Sequence, residues 1–245
     1  MPPSHRLIFW PRGAQIRPVA SQDSLKQRVA EASLEYVRPG MRLGLGSGST
    51  AELMAHALGK RMQQGLQIEA VVPTSTRTEQ IAQSYGMPIC TLDDVEGLDL
   101  TIDGADEVDP ELNLIKGGGG QHLHEKIVAE ASATLVIIVD ASKCVDQLGA
   151  FAVPVEVIPS AVRTVGRQIL ELGGSFSLRG GLEAPYVTLE QNRILDCDFG
   201  LIEEPAALAR ALSEISGIVE HGLFIDLADV VLVGRDDAVE KIERP

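Results

Sequence analysis

From Ser21 onward the chain alternates short apolar runs that read as strands with stretches of helical period, and this alternation most restricts its fold. Strand and helix in repeated succession give a parallel sheet covered by helices. Ser21 is placed to cap a helix in which Leu25, Val29, Ala32 and Tyr36 recur at helical spacing, with Pro39-Gly40 to end it. A strand from Met41 to Leu45 then runs into Gly46-Ser47-Gly48-Ser49-Thr50 and a helix bearing Leu53, Met54, Ala57 and Leu58. Further strands are expected at Ile68 to Val72, Pro88 to Thr91, Leu98 to Ile102 and Thr134 to Val139, with helices starting near Thr76 and Glu125.

The pattern changes after Gly149. Val153 to Ile158 reads as a strand, Ser160 to Leu172 as a helix, Tyr186 to Leu189 and Arg193 to Asp196 as a hairpin, and Pro205 to Ile215 as a helix. Ala228 to Val233 is an apolar strand that returns to the first sheet, which makes the second module an insertion. The expected organisation is α/β: a Rossmann-like parallel-sheet catalytic domain from residues 21–152 plus 227–245, and a smaller inserted α+β domain at 153–226. Residues 1–20 hold Arg6, Arg12 and Arg17, no acid, and prolines at 2, 3, 11 and 18 that oppose a helix. They read as a disordered extension or the product of an upstream start codon rather than an import signal.

The formal net charge is −14, and without the basic head the rest is more acidic still. Such a body repels nucleic acid and anionic membranes, so any anionic substrate must be met by local donors. Lys26, Lys116 and Lys143 are the lysines to watch. Cys90, Cys144 and Cys197 are odd in number, widely spaced and without a C-x-x-C, which indicates neither a disulfide framework nor a zinc site and suits a reducing cytoplasm. No apolar run approaches the ~18 residues of a membrane span.

Four features fall beyond the carboxyl ends of the expected strands, where open parallel sheets bind ligands. They are the loop Gly46 to Thr50, the acidic turn Asp103-Gly104-Ala105-Asp106-Glu107, the loop Lys116 to Gly120, and Asp140-Ala141-Ser142-Lys143. Gly44 to Thr50 fails the G-x-G-x-x-G fingerprint at Ser49 and lacks the Gly-Lys of a P-loop. It remains a glycine-rich turn into a helix N-terminus, suited to a phosphate group, or else an ordinary turn capped by Ser49 or Thr50. Glu125, Lys116 and the glycine N–H groups together supply a base and oxyanion donors, the needs of proton transfer on an anionic substrate. His122 and His124 are two apart and share no helix face, so a surface or cap role is expected rather than a metal site. His56 and His221 are isolated and read as structural.

These residues closely resemble the type A ribose-5-phosphate isomerase family, over nearly all of residues 23–243. The resemblance rests on Gly44 through Thr50, Val72-Pro73-Thr74-Ser75, Asp103 through Glu107, Lys116 through Gly120, Glu125-Lys126-Ile127, Asp140 through Lys143, Pro154 through Pro159 and Gly222-Leu223-Phe224. It implies interconversion of ribose 5-phosphate and ribulose 5-phosphate without a metal or organic cofactor. It further implies that Glu125 moves the proton between C1 and C2, that Asp103 and Asp106 serve ring opening and hydroxyl proton traffic, and that Lys116 with Gly117, Gly118 and Gly119 stabilises an enediolate. Lys26, Ser47, Gly48, Ser49, Thr50, Gly104, Ala105 and Lys143 would complete the substrate and phosphate site. The inserted module would contribute contacts of a homodimer or homotetramer.

One departure stands out: the family has a small residue and then leucine where this chain has Gln121-His122. His124, next to Glu125, is expected to lower the carboxylate pKa when protonated. The competing readings are a sugar-phosphate-sensing regulator domain, an amino-sugar phosphate deaminase and a coenzyme A transferase on a related fold. The contiguous Asp-Gly-Ala-Asp-Glu and Lys-Gly-Gly-Gly-Gly motifs favour the isomerase.

Overall fold

The structure is a computed structural model that describes residues 21–244, and the expectation for residues 1–20 lies outside the described residues. Helix α1 (Gln22–Ser33) starts where the Ser21 hydroxyl accepts the Ser24 N–H at 3.2 Å, and it buries Val29, Ala30 and Ser33. It ends well before Pro39-Gly40. Turns through Leu34, Glu35 and Tyr36 already satisfy the carbonyls of Glu31, Ala32 and Ser33, so Tyr36 packs from outside the helix.

The chain continues through β1 (Arg42–Leu45), α2 (Ser49–Gln63), β2 (Ala70–Pro73), α3 (Thr76–Ser84), β3 (Leu100–Asp103), β4 (Glu107–Val108), β5 (Leu114–Ile115), α4 (His122–Glu130) and β6 (Leu135–Asp140). After β7 (Val153–Val157) come α5 (Val162–Glu171), β8 (Ser175–Leu178), β9 (Arg193–Asp198), α6 (Pro205–Ser213), β10 (Ile218–His221) and β11 (Leu223–Phe224). Strands β12 (Val230–Gly234) and β13 (Val239–Glu243) close the described chain.

The main sheet has the order β13-β12-β6-β3-β1-β2, parallel except for β13, which pairs antiparallel with β12. Strands β6 and β12 are buried along their whole length, which explains why they are apolar at nearly every position rather than at alternate ones. One face packs Val29, Leu43, Met54 and Leu58, and the other Leu114, Ile137, Val231 and Phe224. The chain passes from β1 to β2 on one side and then to β3 on the other. The winding therefore reverses between β1 and β3, and the crevice beyond their carboxyl ends is where such sheets bind ligands.

A second sheet, β10-β7-β9-β8, is antiparallel and packs with α5 and α6 around Val155, Val165, Ile169, Leu195 and Leu212. The strand returning after this segment, β12, pairs parallel with β6 as the sequence pattern requires. A third small sheet, β11-β5-β4, ties the acidic turn to the lysine loop.

Three further expected elements differ. Pro88 to Thr91 forms only an isolated bridge between Ile89 and Val71; Pro88 has no N–H to give, and the chain turns at once into a 3-10 turn at Leu92–Asp94. Tyr186 to Leu189 is not a strand: β9 takes β8 as its hairpin partner, and Thr188 instead bonds the buried Glu156 carboxylate at 2.8 Å. Helix α4 starts at His122 rather than Glu125, which brings His122 into its first turn.

Candidate active site

Asp103 ends β3 and is buried under the turn that follows β1. Its Oδ1 accepts the N–H groups of Ser47 at 2.9 Å and Gly104 at 2.7 Å. A Cβ at Gly46 would lie 2.1 Å from that oxygen, so only glycine lets the turn approach the carboxylate so closely. Thr74 and Thr78, just beyond β2, hold the same turn: Ser47 Oγ lies 2.6 Å from Thr74 Oγ1, and Thr78 Oγ1 donates to the Gly46 carbonyl at 2.8 Å.

Gly48 occupies the cap position of α2 with φ +85°, and no side chain caps this helix. The reading of Ser49 or Thr50 as a mere cap is thereby overturned. Ser49 Oγ instead accepts from Lys26 Nζ at 3.0 Å, across from α1. An ammonium group, hydroxyls and a helix N-terminus thus meet at one point, which suits a phosphate. Asp140 at the end of β6 borders this region. Burial would raise its pKa, but hydrogen bonds from Ser142 and Gln22, with Lys143 nearby, outweigh that and hold it below the ordinary value.

Lys116 follows β5 and is 3 % exposed. Its Nζ lies 3.0 Å from Asp103 Oδ2 and 3.2 Å from Glu125 Oε2, and it donates to the Gly104 carbonyl at 2.5 Å. Burial alone would lower its pKa; the two carboxylates more than reverse this and raise it, so the ammonium is charged. One ammonium cannot offset two buried carboxylates. Burial raises the pKa of Glu125 to about 7, with Lys116 pulling it down and Asp103 pushing it up. Glu125 is a carboxyl group able both to take and to give a proton near neutrality.

The sequence-derived site residues converge. Lys26, Ser47, Gly48, Ser49, Thr50, Gly104, Ala105, Asp106, Lys116, Gly117, Gly118, Gly119, Glu125 and Lys143 all line one cavity of about 180 Å³, the size for a small metabolite. Asp103 does not line it. At 1 % exposure it lies beneath, in contact with Lys116 and with the Ser47 turn. Gln22 also lines the cavity and was missed; its signal was its place one helical turn before Lys26 on the same face of α1.

The two helix-start histidines part company. His122 has no surface or cap role: it is fully buried against Gly117, where a Cβ would lie 2.7 Å from His122 Nδ1 and where φ is +101°. Burial, then Lys126 and Arg179, lower its pKa to about 3, so its ring is neutral. His124 points outward, with Nε2 3.1 Å from Glu190 Oε1. The expected influence of His124 on Glu125 is corrected accordingly, because the proton affinity of Glu125 is governed by its burial, Lys116 and Asp103. Among the described residues, no group of three or more His, Cys, Asp or Glu is placed to hold a metal ion.

A switch-point cavity lined by the Lys26–Ser49 contact at a helix N-terminus and by a buried carboxyl–ammonium couple defines an α/β protein whose groups suit proton transfer on a small anion. The chain belongs to the ribose 5-phosphate isomerase A (phosphoriboisomerase A) family, whose model matches residues 70–238. A ribose-5-phosphate isomerase A of Parvibaculum lavamentivorans is 46% identical over 228 residues, covering 90% of this chain and 98% of that one. The solved ribose 5-phosphate isomerase A of Neisseria gonorrhoeae superposes with a TM-score of 0.87 at 40% identity, covering 92% of this chain and 98% of that one. A D-ribose-5-phosphate isomerase solved in complex with phospho-erythronic acid gives a TM-score of 0.89 at 36% identity, covering 92% of this chain and 100% of that one.

Proposed function

We infer that this protein interconverts D-ribose 5-phosphate and D-ribulose 5-phosphate by proton transfer through an enediolate. The observation that carries the reading is the Glu125–Lys116 couple, 3.2 Å apart and buried, at the wall of the same cavity as the Ser47–Thr50 turn. Starting from the aldose, Glu125 removes the C2 proton as electrons move onto the carbonyl oxygen at C1. Lys116 and the glycine-loop N–H groups stabilise that oxyanion. The proton then returns to C1, while the hydroxyl proton passes from O2 to O1.

Asp106 faces the cavity and suits the hydroxyl and ring-opening proton; Asp103 keeps Lys116 charged and in place. The phosphate occupies the Ser47, Gly48, Ser49 and Thr50 turn with Lys26, and Lys143 lies at the cavity wall. Phospho-erythronic acid, bound by a relative, supports this assignment: its carboxylate has the planar two-oxygen form of an enediolate. No step requires a metal, so turnover of ribose 5-phosphate in a coupled assay should persist in EDTA. Loss on chelation, restored by a divalent ion, would overturn the reading.

We read residues 21–152 with 227–245 as the catalytic domain and 153–226 as the oligomer-contact domain of a homodimer or homotetramer. In support, among the described residues the exposed large hydrophobic side chains, with the exception of Ile127, all lie between Ile158 and Val219. Sedimentation at micromolar concentration tests it, and a monomer would refute it. A cytoplasmic location accords with three unpaired cysteines and with no described helix long and apolar enough to cross a membrane.

A further inference from the structure

The Lys116–Gly120 loop poses a physical problem. Four successive glycines have no conformational preference of their own, and an oxyanion site works only if its donors are fixed before the charge develops. Something outside the loop must hold it. On the side away from the cavity, Arg179 Nη1 donates to the Gly117 carbonyl at 2.9 Å and the Gly118 carbonyl at 3.2 Å. Its guanidinium is itself fixed by a two-pronged bond to Asp196, with Nε–Oδ2 3.1 Å and Nη2–Oδ1 2.5 Å. The Tyr186 ring centroid lies 5.8 Å from the guanidinium carbon, and the Tyr186 hydroxyl donates to the Gly119 carbonyl at 3.4 Å. Three consecutive glycine carbonyls are therefore held by two side chains of the antiparallel module.

A trans peptide is planar, with its N–H directed opposite to its C=O. Holding the carbonyls of Gly117 and Gly118 on the outer side turns the N–H groups of Gly118 and Gly119 the other way. Gly118 N–H goes to Asp106 Oδ2 at 2.8 Å and Gly120 N–H to the Gly117 carbonyl at 2.9 Å. The Gly119 N–H has no acceptor among the described residues, in a loop whose Gly117, Gly118 and Gly119 line the cavity. We propose that Arg179, fixed by Asp196, is a positioning residue that sets the glycine loop so that the Gly119 N–H is available to the enediolate oxygen. A lysine could not do this, because a single ammonium cannot hold Asp196 and two carbonyls in one plane.

The proposal rests on the isomerase reading, and two measurements separate their fates. In hydrogen-exchange mass spectrometry, Arg179→Ala should speed exchange in peptides covering residues 116–121 by about tenfold or more, while peptides from residues 49–63 stay unchanged. In the coupled assay, kcat should fall about 10- to 100-fold with KM for ribose 5-phosphate within about threefold, the pattern of a lost transition-state donor. Arg179→Lys, which keeps the charge and the fold, should lie between wild type and Arg179→Ala in both measurements, and it alone decides the matter if Arg179→Ala does not fold. Unchanged loop exchange, or a loss confined to KM, would overturn the proposal. A wild-type protein without turnover would overturn the isomerase reading instead, leaving the exchange result to decide the role of Arg179.

Discussion

Lys116 and Lys126 are both buried ammonium groups near a single ring, with Nζ atoms 5.4 and 4.9 Å from the Phe224 centroid, yet they stand in opposite charge balances. Lys116 faces two buried carboxylates. Lys126, beside Glu125 on α4, faces one carboxylate, Glu220 Oε1 at 2.6 Å, and the His221 carbonyl at 2.7 Å. Burial lowers the pKa of Lys126, and Glu220 only partly opposes it. His221, 3.4 Å from Lys126, is likewise lowered by burial and then by that ammonium, to about 4. A balanced pair serves as a clip between α4 and β10, whereas burial, with Asp103 as a second carboxylate against one ammonium, brings the proton affinity of Glu125 into the neutral range. Adjacent residues on one helix thus acquire different roles from the number of partners each side of α4 presents.

The most severe way to break the contrast is Glu125→Gln, which keeps the shape and removes the base. We expect kcat to fall by roughly 10² to 10⁴ with the fold retained, measured in the coupled assay with circular dichroism as the control. Near-wild-type kcat would place the base elsewhere. On the other side of the helix, Lys126→Met should leave Glu220 without its ammonium and cost about 2 to 4 kcal/mol of unfolding free energy. Its kcat per folded molecule should stay within threefold; a hundredfold loss would show that the clip takes part in chemistry.

The raised pKa of Glu125 has a consequence for stability with a definite sign. The folded state holds this proton up to about pH 7, against an ordinary value of 4.5, so the ionised carboxylate disfavours the fold as pH rises between those values. Glu125→Gln should gain up to about 3 kcal/mol on wild type between pH 4.5 and pH 8, read from urea melts at each pH. An identical difference at both pH values would mean that Glu125 titrates normally. The same ionisation should appear as an acid limb near pH 7 in wild-type kcat/KM. The smallest effect is expected for His124→Ala: pH–rate profiles superimposable on wild type, since its ring meets Glu190 and not Glu125. A displaced acid limb would return His124 to the site.

The sequence was most informative where physics is local. Strands β1, β3, β6 and β12 are buried on both faces and so read as apolar runs, and the turns after β1, β3 and β6, with the glycine loop after β5, carried nearly the whole cavity in Ser47–Thr50, Gly104–Asp106, Lys143 and Lys116–Gly119. What stayed hidden depends on distant contacts. Strands β4, β5 and β11 have two residues each, too short for any period to show. The burial of His122 depends on the backbone of Gly117, which no alternation of residue types reveals. Arg179 reaches Gly117 and Gly118 across about sixty residues, from just beyond β8, a strand too exposed to read as one. The roles of Asp103 and Asp106 were likewise inseparable in sequence, being three positions apart and alike in chemistry.

Helix α1 brings Lys26 and Gln22 to the cavity from its first two turns, while its fully buried anchors, Val29, Ala30 and Ser33, all lie further on. The proposed grip on the phosphate is therefore mounted on the end of a helix, held there by the Ser21 cap and by the contacts of Lys26 with Ser49 and of Gln22 with Asp140. Closing a lysine over a bound phosphate would draw on the same free energy that winds this turn. Occupancy of the cavity should therefore register at the start of the fold, as slower solvent exchange of the amides after Ser21.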